Sequence, residues 1–154
     1  MSLLKEIVER GLTRFDTSFP SWEEATRASC QPLIKAGYIT KDYEDAIIGC
    51  VKRYGPYIVL APNIAMPHAM VGAKGVHKTA IGFMKVEEPV HFKEGDSDKD
   101  AMLFFVLAAK DSDEHMANMS RLAMMLTNPD VVRDLLDAKS DGELLRIDEK
   151  YPDN

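Results

Sequence analysis

The sequence predicts an α/β fold: a single domain over residues 1–154, in which a mixed, mainly parallel sheet of about five strands is flanked by helices on both faces. Three observations lead there. Capped segments with helical spacing stand toward either end of the chain. Short apolar runs fill the middle. The longest of these, Ala101 to Ala109, is apolar at all nine positions, as in a strand covered on both faces.

The elements follow in order. Ser21-Trp22-Glu23-Glu24 has the S-x-x-E form of a capping box, so a helix starts there. Trp22, Ala25, Ser29, Leu33 and Ala36 share a face, and Gly37 suits the stop. Pro32 argues for a kink or a shorter helix. Thr40 can cap a second helix carrying Tyr43, Ala46, Ile47, Cys50, Val51 and Tyr54, which Gly55-Pro56 ends.

Extended runs come next: Tyr57 to Leu60, Ile64 to Met66, Thr79 to Val86, Val90 to Phe92 and Ala101 to Ala109. The Val90 run reads as a short edge strand, and Lys93 to Asp100 as a charged loop. Three helices close the order. Asp111 with Glu114 caps the first, Asn128-Pro129 opens the second, and Ser140 with Glu143 caps the third.

Composition narrows the function. Hydrophobic residues make up 45% and charged residues 29%, as in ordinary soluble domains. No apolar run reaches the length of a membrane span, and the opening MSLLKEIVERGL does not read as a secretory signal. A formal net charge of −6 argues against nucleic acid and fits a basic protein partner, although for charge taken by itself solubility alone outweighs that reading. Two cysteines, Cys30 and Cys50, are too few for a disulfide framework and read as small apolar side chains within helices.

Four histidines carry the remaining chemistry. His68 follows Pro67, which fixes its own φ and keeps Met66 extended, so a strand turns just before the imidazole. Strand ends are where open α/β sheets bind ligands. On these residues alone, a surface-loop histidine still outweighs a reactive one. His115 enters the helix that Asp111 caps, where free N–H groups and the positive dipole end favour an anion. Met119, Leu122 and Leu126 share its face, so spacing alone favours a histidine at the rim of a packed face. Two histidines at two strand ends can converge at one sheet edge. His77 and His91 read as structural.

Other chemistries lack their motifs. There is no H-E-x-x-H, C-x-x-C or P-loop. Asp96, Asp98 and Asp100 imitate a calcium loop, but Ala101 and Leu107 stand where that loop needs Gly and Glu.

The run Gly55-Pro56-Tyr57-Ile58-Val59-Leu60-Ala61-Pro62-Asn63-Ile64-Ala65-Met66-Pro67-His68 resembles the IIA domains of the mannitol–fructose type in bacterial sugar phosphotransferase systems, which carry an I-A-[apolar]-P-H segment. The resemblance spans nearly the whole chain, through the Trp22 helix, Lys35 to Ile39, Tyr43, Lys78-Thr79 and Glu114-His115. Its G-P-Y-x-V-L-A-P looks most like the ascorbate-specific branch. Many mannitol and fructose members carry an Arg-Glu pair upstream of the histidine, and a direct count puts Cys50 in place of that arginine. Lys52 and Arg53 stand nearby as possible substitutes.

The resemblance implies a cytoplasmic phosphotransferase component. His68 accepts a phosphoryl group from phospho-HPr as a tele-phosphohistidine, with His115 stabilising the phosphoryl group, and passes it to a IIB component. A membrane IIC component then moves the sugar, expected to be ascorbate. No nucleotide, metal or other cofactor is required, and no nucleic acid or membrane insertion is involved. Two alternatives remain open: a regulatory relative that accepts phosphate and signals to a protein partner, and a non-catalytic metal or small-ligand module.

Overall fold

The computed structural model describes residues 3–152. Met1 and Ser2 of the opening segment, and Asp153 and Asn154, lie outside the described residues. The elements are α1 (Leu3–Glu9), β1 (Thr13–Asp16), α2 (Trp22–Lys35), α3 (Lys41–Tyr54), β2 (Val59–Ala61), β3 (Asn63–Ala65), β4 (Ala80–His91), β5 (Asp100–Ala108), α4 (Ser112–Leu126), α5 (Pro129–Asp137) and α6 (Asp141–Lys150). A short 3₁₀ turn, Ser97–Lys99, lies within the charged loop. No helix among the described residues is long and apolar enough to cross a membrane.

The cap signals act as read. The hydroxyl of Ser21 accepts the Glu24 N–H, Asp111 accepts the Glu114 N–H, Asn128 accepts the Asp130 N–H and Ser140 accepts the Glu143 N–H. Thr40 occupies the N-cap of α3 with extended backbone, but its hydroxyl makes no capping bond. Helix α2 runs through Pro32 and ends three residues later, so the missing N–H is confined to its last turn. Gly37 then takes φ 83°, and the Tyr38 N–H bonds to the Leu33 carbonyl and the Gly37 N–H to that of Ile34. These are the two bonds of a Schellman stop, which needs a residue tolerant of positive φ.

The sheet has the order β1-β4-β5-β3-β2. β1 pairs with β4, and β3 with β5, in parallel; β4 pairs with β5, and β2 with β3, antiparallel. β5 lies at the centre, and Leu103 to Ala108 have no exposure, which explains its unbroken apolar run. Alternation along β4 separates the two faces. Gly82 lies under α2, so closely that an added Cβ would stand 2.3 Å from Leu33 Cδ1. Phe83 looks the other way and packs against Phe15 and Phe105. Helix α2, with α3 beside it, covers one face, while α1, α4 and α5 contact β4 or β5 from the other and α6 packs on α1 and α5.

Two features depart from the sequence reading. Helix α1 and strand β1 have no counterpart in it. The runs at Thr79 and Val90 form one strand rather than two. Between Lys85↔Leu103 and Val90↔Ala101 the register slips, and Glu87 to Pro89 swell outward into solvent. The strand persists there because β1 holds its other edge, through Asp16↔Val86 and the Glu88 N–H on the Thr17 carbonyl.

Candidate functional site

The carboxyl ends of β3 and β5 lie side by side because these strands are parallel neighbours. β3 feeds Met66-Pro67-His68, and β5 feeds α4, which carries His115 in its first turn. The two rings meet with centroids 5.6 Å apart, tilted by 40°. The structure thus brings together the two histidines singled out from sequence. His77 is exposed and lies outside this cleft. His91 is also exposed, on β4, where Nδ1 lies 2.7 Å from Asp100 Oδ1.

The segment around His68 is fastened from several directions. The Met66 N–H bonds to the Ile58 carbonyl at 2.8 Å, and the Leu107 N–H bonds to the Pro67 carbonyl at 2.9 Å. The buried Tyr43 hydroxyl donates to the Leu107 carbonyl at 2.6 Å and accepts the Ala69 N–H at 3.2 Å. The Tyr57 hydroxyl donates to the His68 carbonyl. Across the cleft, the Asn118 amide reaches the Ala108 carbonyl at 3.5 Å, and the Thr79 hydroxyl donates to Glu114 while accepting the Lys110 N–H at 3.1 Å. The first turn of α4 is thereby tied to the sheet.

The imidazole of His68 is itself directed. Its Nδ1 lies 2.6 Å from the Met66 carbonyl oxygen. A carbonyl only accepts, so Nδ1 carries the hydrogen and Nε2 keeps a free lone pair. Burial lowers the pKa of His68 below the ordinary histidine value; the Met66 bond opposes this, and His115 adds to the lowering. The ring is therefore neutral at neutral pH, with a lone pair available on Nε2.

Cys50 and Tyr54 of α3, Tyr57, His68 to Val71 and His115 line a cleft of about 550 Å³. Met70, Val71, Tyr54 and nearby Met116 on α4 are exposed, which gives the cleft an apolar rim. Neither lysine nor arginine appears among the described residues lining it. Lys52 pairs with Glu23 at 3.3 Å, and the guanidinium of Arg53 lies over the Tyr54 ring at 5.4 Å. On the α3 side the cleft therefore meets the Cys50 thiol and no cation. Cys30 is fully buried, whereas half-buried Cys50 opens onto the site and is more than core filling. A second cavity, of about 430 Å³, lies between α1, α4, α5 and α6 and includes neither histidine. No group of three or more His, Cys, Asp or Glu side chains suited to a metal occurs among the described residues.

A sheet edge presenting one directed imidazole beside a second, near a helix N-terminus, is a site built for an anionic group. The chain belongs to the family described as phosphoenolpyruvate-dependent sugar phosphotransferase system, EIIA 2, whose model matches residues 6–150. It is 33% identical over 130 residues to the mannitol-specific cryptic phosphotransferase enzyme IIA component of Escherichia coli, covering 84% of this chain and 86% of that one. It is 30% identical over 151 residues to the ascorbate-specific PTS system EIIA component of Salmonella typhimurium, covering 89% and 96%. Its fold is similar to that in the complex of mannitol enzyme IIA with phosphorylated enzyme IIB from Escherichia coli, with a TM-score of 0.77 and 28% identity over 92% of this chain and 96% of that one. Components of this family are phosphotransferase carriers.

Proposed function

We propose that this chain, as one domain, carries a phosphoryl group on His68 in the cytoplasm, from phospho-HPr to a IIB component, and that the pathway serves ascorbate uptake through a membrane IIC component. The observation that carries the reading is the Nδ1–Met66 bond, which leaves Nε2 as the free nitrogen beside His115.

The chemistry follows from that arrangement. The Nε2 lone pair attacks phosphorus while the phosphorus–nitrogen bond to the donor histidine breaks, and that electron pair returns to the donor ring. The proton on Nδ1 stays in place, and the Met66 carbonyl steadies the positive charge the ring acquires. The product is a tele-phosphohistidine, and the same step in reverse sense delivers the group to IIB. Phosphoryl transfer relies on positioning and charge stabilisation, so His115 is assigned as hydrogen-bond donor to the phosphoryl oxygens, with the α4 N-terminus behind it. The apolar rim keeps water from the phosphoryl group while a partner is docked.

Support for ascorbate comes from the Gly55 to Pro62 run and from Cys50 in place of arginine. The test is intact mass after incubation with phosphoenolpyruvate, enzyme I and HPr. The protein is expected to gain one phosphoryl group and His68→Ala none; a folded His68→Ala that still gains it overturns the assignment.

A further inference from the structure

An imidazole has two nitrogens, and a half-turn about Cβ–Cγ moves Nδ1 to the place of Cδ2 and Nε2 to that of Cε1, so the ring's orientation decides which nitrogen faces the cleft. The bond from Nδ1 to the Met66 carbonyl favours one orientation, but Met66 and His68 belong to the same short segment. That bond is only as firm as the backbone of residue 68.

We propose that Tyr57 is a positioning residue whose hydroxyl and ring edge together grip residue 68, so that Nε2 rather than Nδ1 of His68 faces the cleft. The hydroxyl donates to the His68 carbonyl, and the ring stands edge-on to the imidazole, with centroids 5.2 Å apart and planes at 86°. One side chain thus holds both the main chain and the ring of the same residue. The grip comes from elsewhere in the chain, since Tyr57 follows the end of α3 and its own N–H is held by the Gly55 carbonyl at 2.8 Å. Burial pushes the phenol of Tyr57 well above its usual pKa, so it stays an O–H donor across the range in which histidines titrate.

The regiochemical and kinetic consequences rest on the carrier reading; the effect on the resting ring does not. The test compares wild type, Tyr57→Phe and Tyr57→Leu. Phe keeps the ring edge and loses the hydroxyl, whereas Leu loses both. Long-range ¹H–¹⁵N NMR of the unphosphorylated proteins is expected to show His68 as a single Nδ1–H tautomer in wild type, a smaller share of it in Tyr57→Phe and a smaller share still in Tyr57→Leu. Phosphorylated samples should gain a pros-phosphohistidine beside the tele isomer. Uptake from phospho-HPr should slow by about 10-fold for Phe and about 100-fold for Leu, the scale of a modest misplacement of reacting atoms, with KM for phospho-HPr unchanged. A general loss of packing would not alter which nitrogen is phosphorylated. Wild-type tautomer, isomer and rate in a folded Tyr57→Phe and Tyr57→Leu overturn the proposal, and if Tyr57→Leu does not fold, Tyr57→Phe decides alone. If wild type takes no phosphoryl group, the carrier reading fails while the tautomer comparison still decides the role of Tyr57.

Discussion

The imidazoles of His68 and His115 lie with centroids 5.6 Å apart, although His68 belongs to the connection from β3 to β4 and His115 to α4, with all of β4 and β5 between them in the chain. Under the proposed function, a phosphoryl group on His68 would lie within hydrogen-bonding reach of His115.

His115→Ala should therefore still be phosphorylated at His68, but onward transfer should slow. Losing one donor where charge develops costs about 2.7–4 kcal/mol, or about 10²–10³ in rate, in enclosed sites. This cleft is open until a partner docks, so the lower end of that range applies. Single-turnover transfer to a purified IIB measures it, and a wild-type rate would remove His115 from the mechanism.

The depressed pKa of His68 gives a signed pH dependence. Uptake of the phosphoryl group should hold as pH falls through the ordinary histidine value of about 6.5 and decline only below it. For stability, the unfolded chain binds the proton more readily than the folded one. The contribution is thus fully present above the unfolded value and lost as pH falls from there through the folded value. NMR titration of the imidazole and urea unfolding at several pH values check the two statements. An unshifted midpoint contradicts both.

Tyr43→Phe deletes a buried hydroxyl that joins the end of β5 to the residue after His68. The Ala69 N–H and a lone pair of the Leu107 carbonyl lose their partner, at a cost of about 1–3 kcal/mol. Urea unfolding should show a lower midpoint at unchanged slope. An unchanged midpoint would mean that water replaces the hydroxyl.

An ascorbate IIB should accept phosphate from this protein faster than a mannitol or fructose IIB does. Among the described residues the cleft is lined by the Cys50 thiol and by no lysine or arginine, so it is electrostatically unlike a cleft lined by arginine. Equal or reversed rates would withdraw the sugar assignment and leave the carrier function standing.

Much of this was legible in the chain because the informative signals were local. Helices α2, α4, α5 and α6 announce themselves through a side-chain cap three residues or fewer from its partner. Strand β5 announces itself through unbroken apolarity. β1 does not, since its four residues are all half-buried and its pairing with β4 reaches far along the chain. The Glu87-Glu88-Pro89 break in β4 is charged and carries a proline, and the strand continues across it through the hold of β1 on one side and renewed pairing with β5 at Val90 and His91 on the other. Pro67 and the cap of α4 mark His68 and His115 as candidates, but on those residues alone a surface-loop histidine and a packed-face histidine stay ahead, and it is the family resemblance that singles the two out. Their convergence depends on β3 and β5 being parallel neighbours, which no local pattern encodes. Tyr57 and Cys50 were read as strand and helix-face residues, and their place in the cleft arises from tertiary packing. The Gly55-Pro56 turn before Tyr57 is the one nearby sign that its direction is fixed.

Pro67 and Asn118 are tied to Leu107 and Ala108, adjacent residues of one central strand. Both imidazoles therefore share a single rigid mount. A site mounted this way presents its two imidazoles to every visitor from one strand end. Under the proposed function, giver and receiver of the phosphoryl group would take turns on the same surface, and turnover would be capped by how soon the first departs. Brief, loosely held encounters then serve such a carrier better than tight ones.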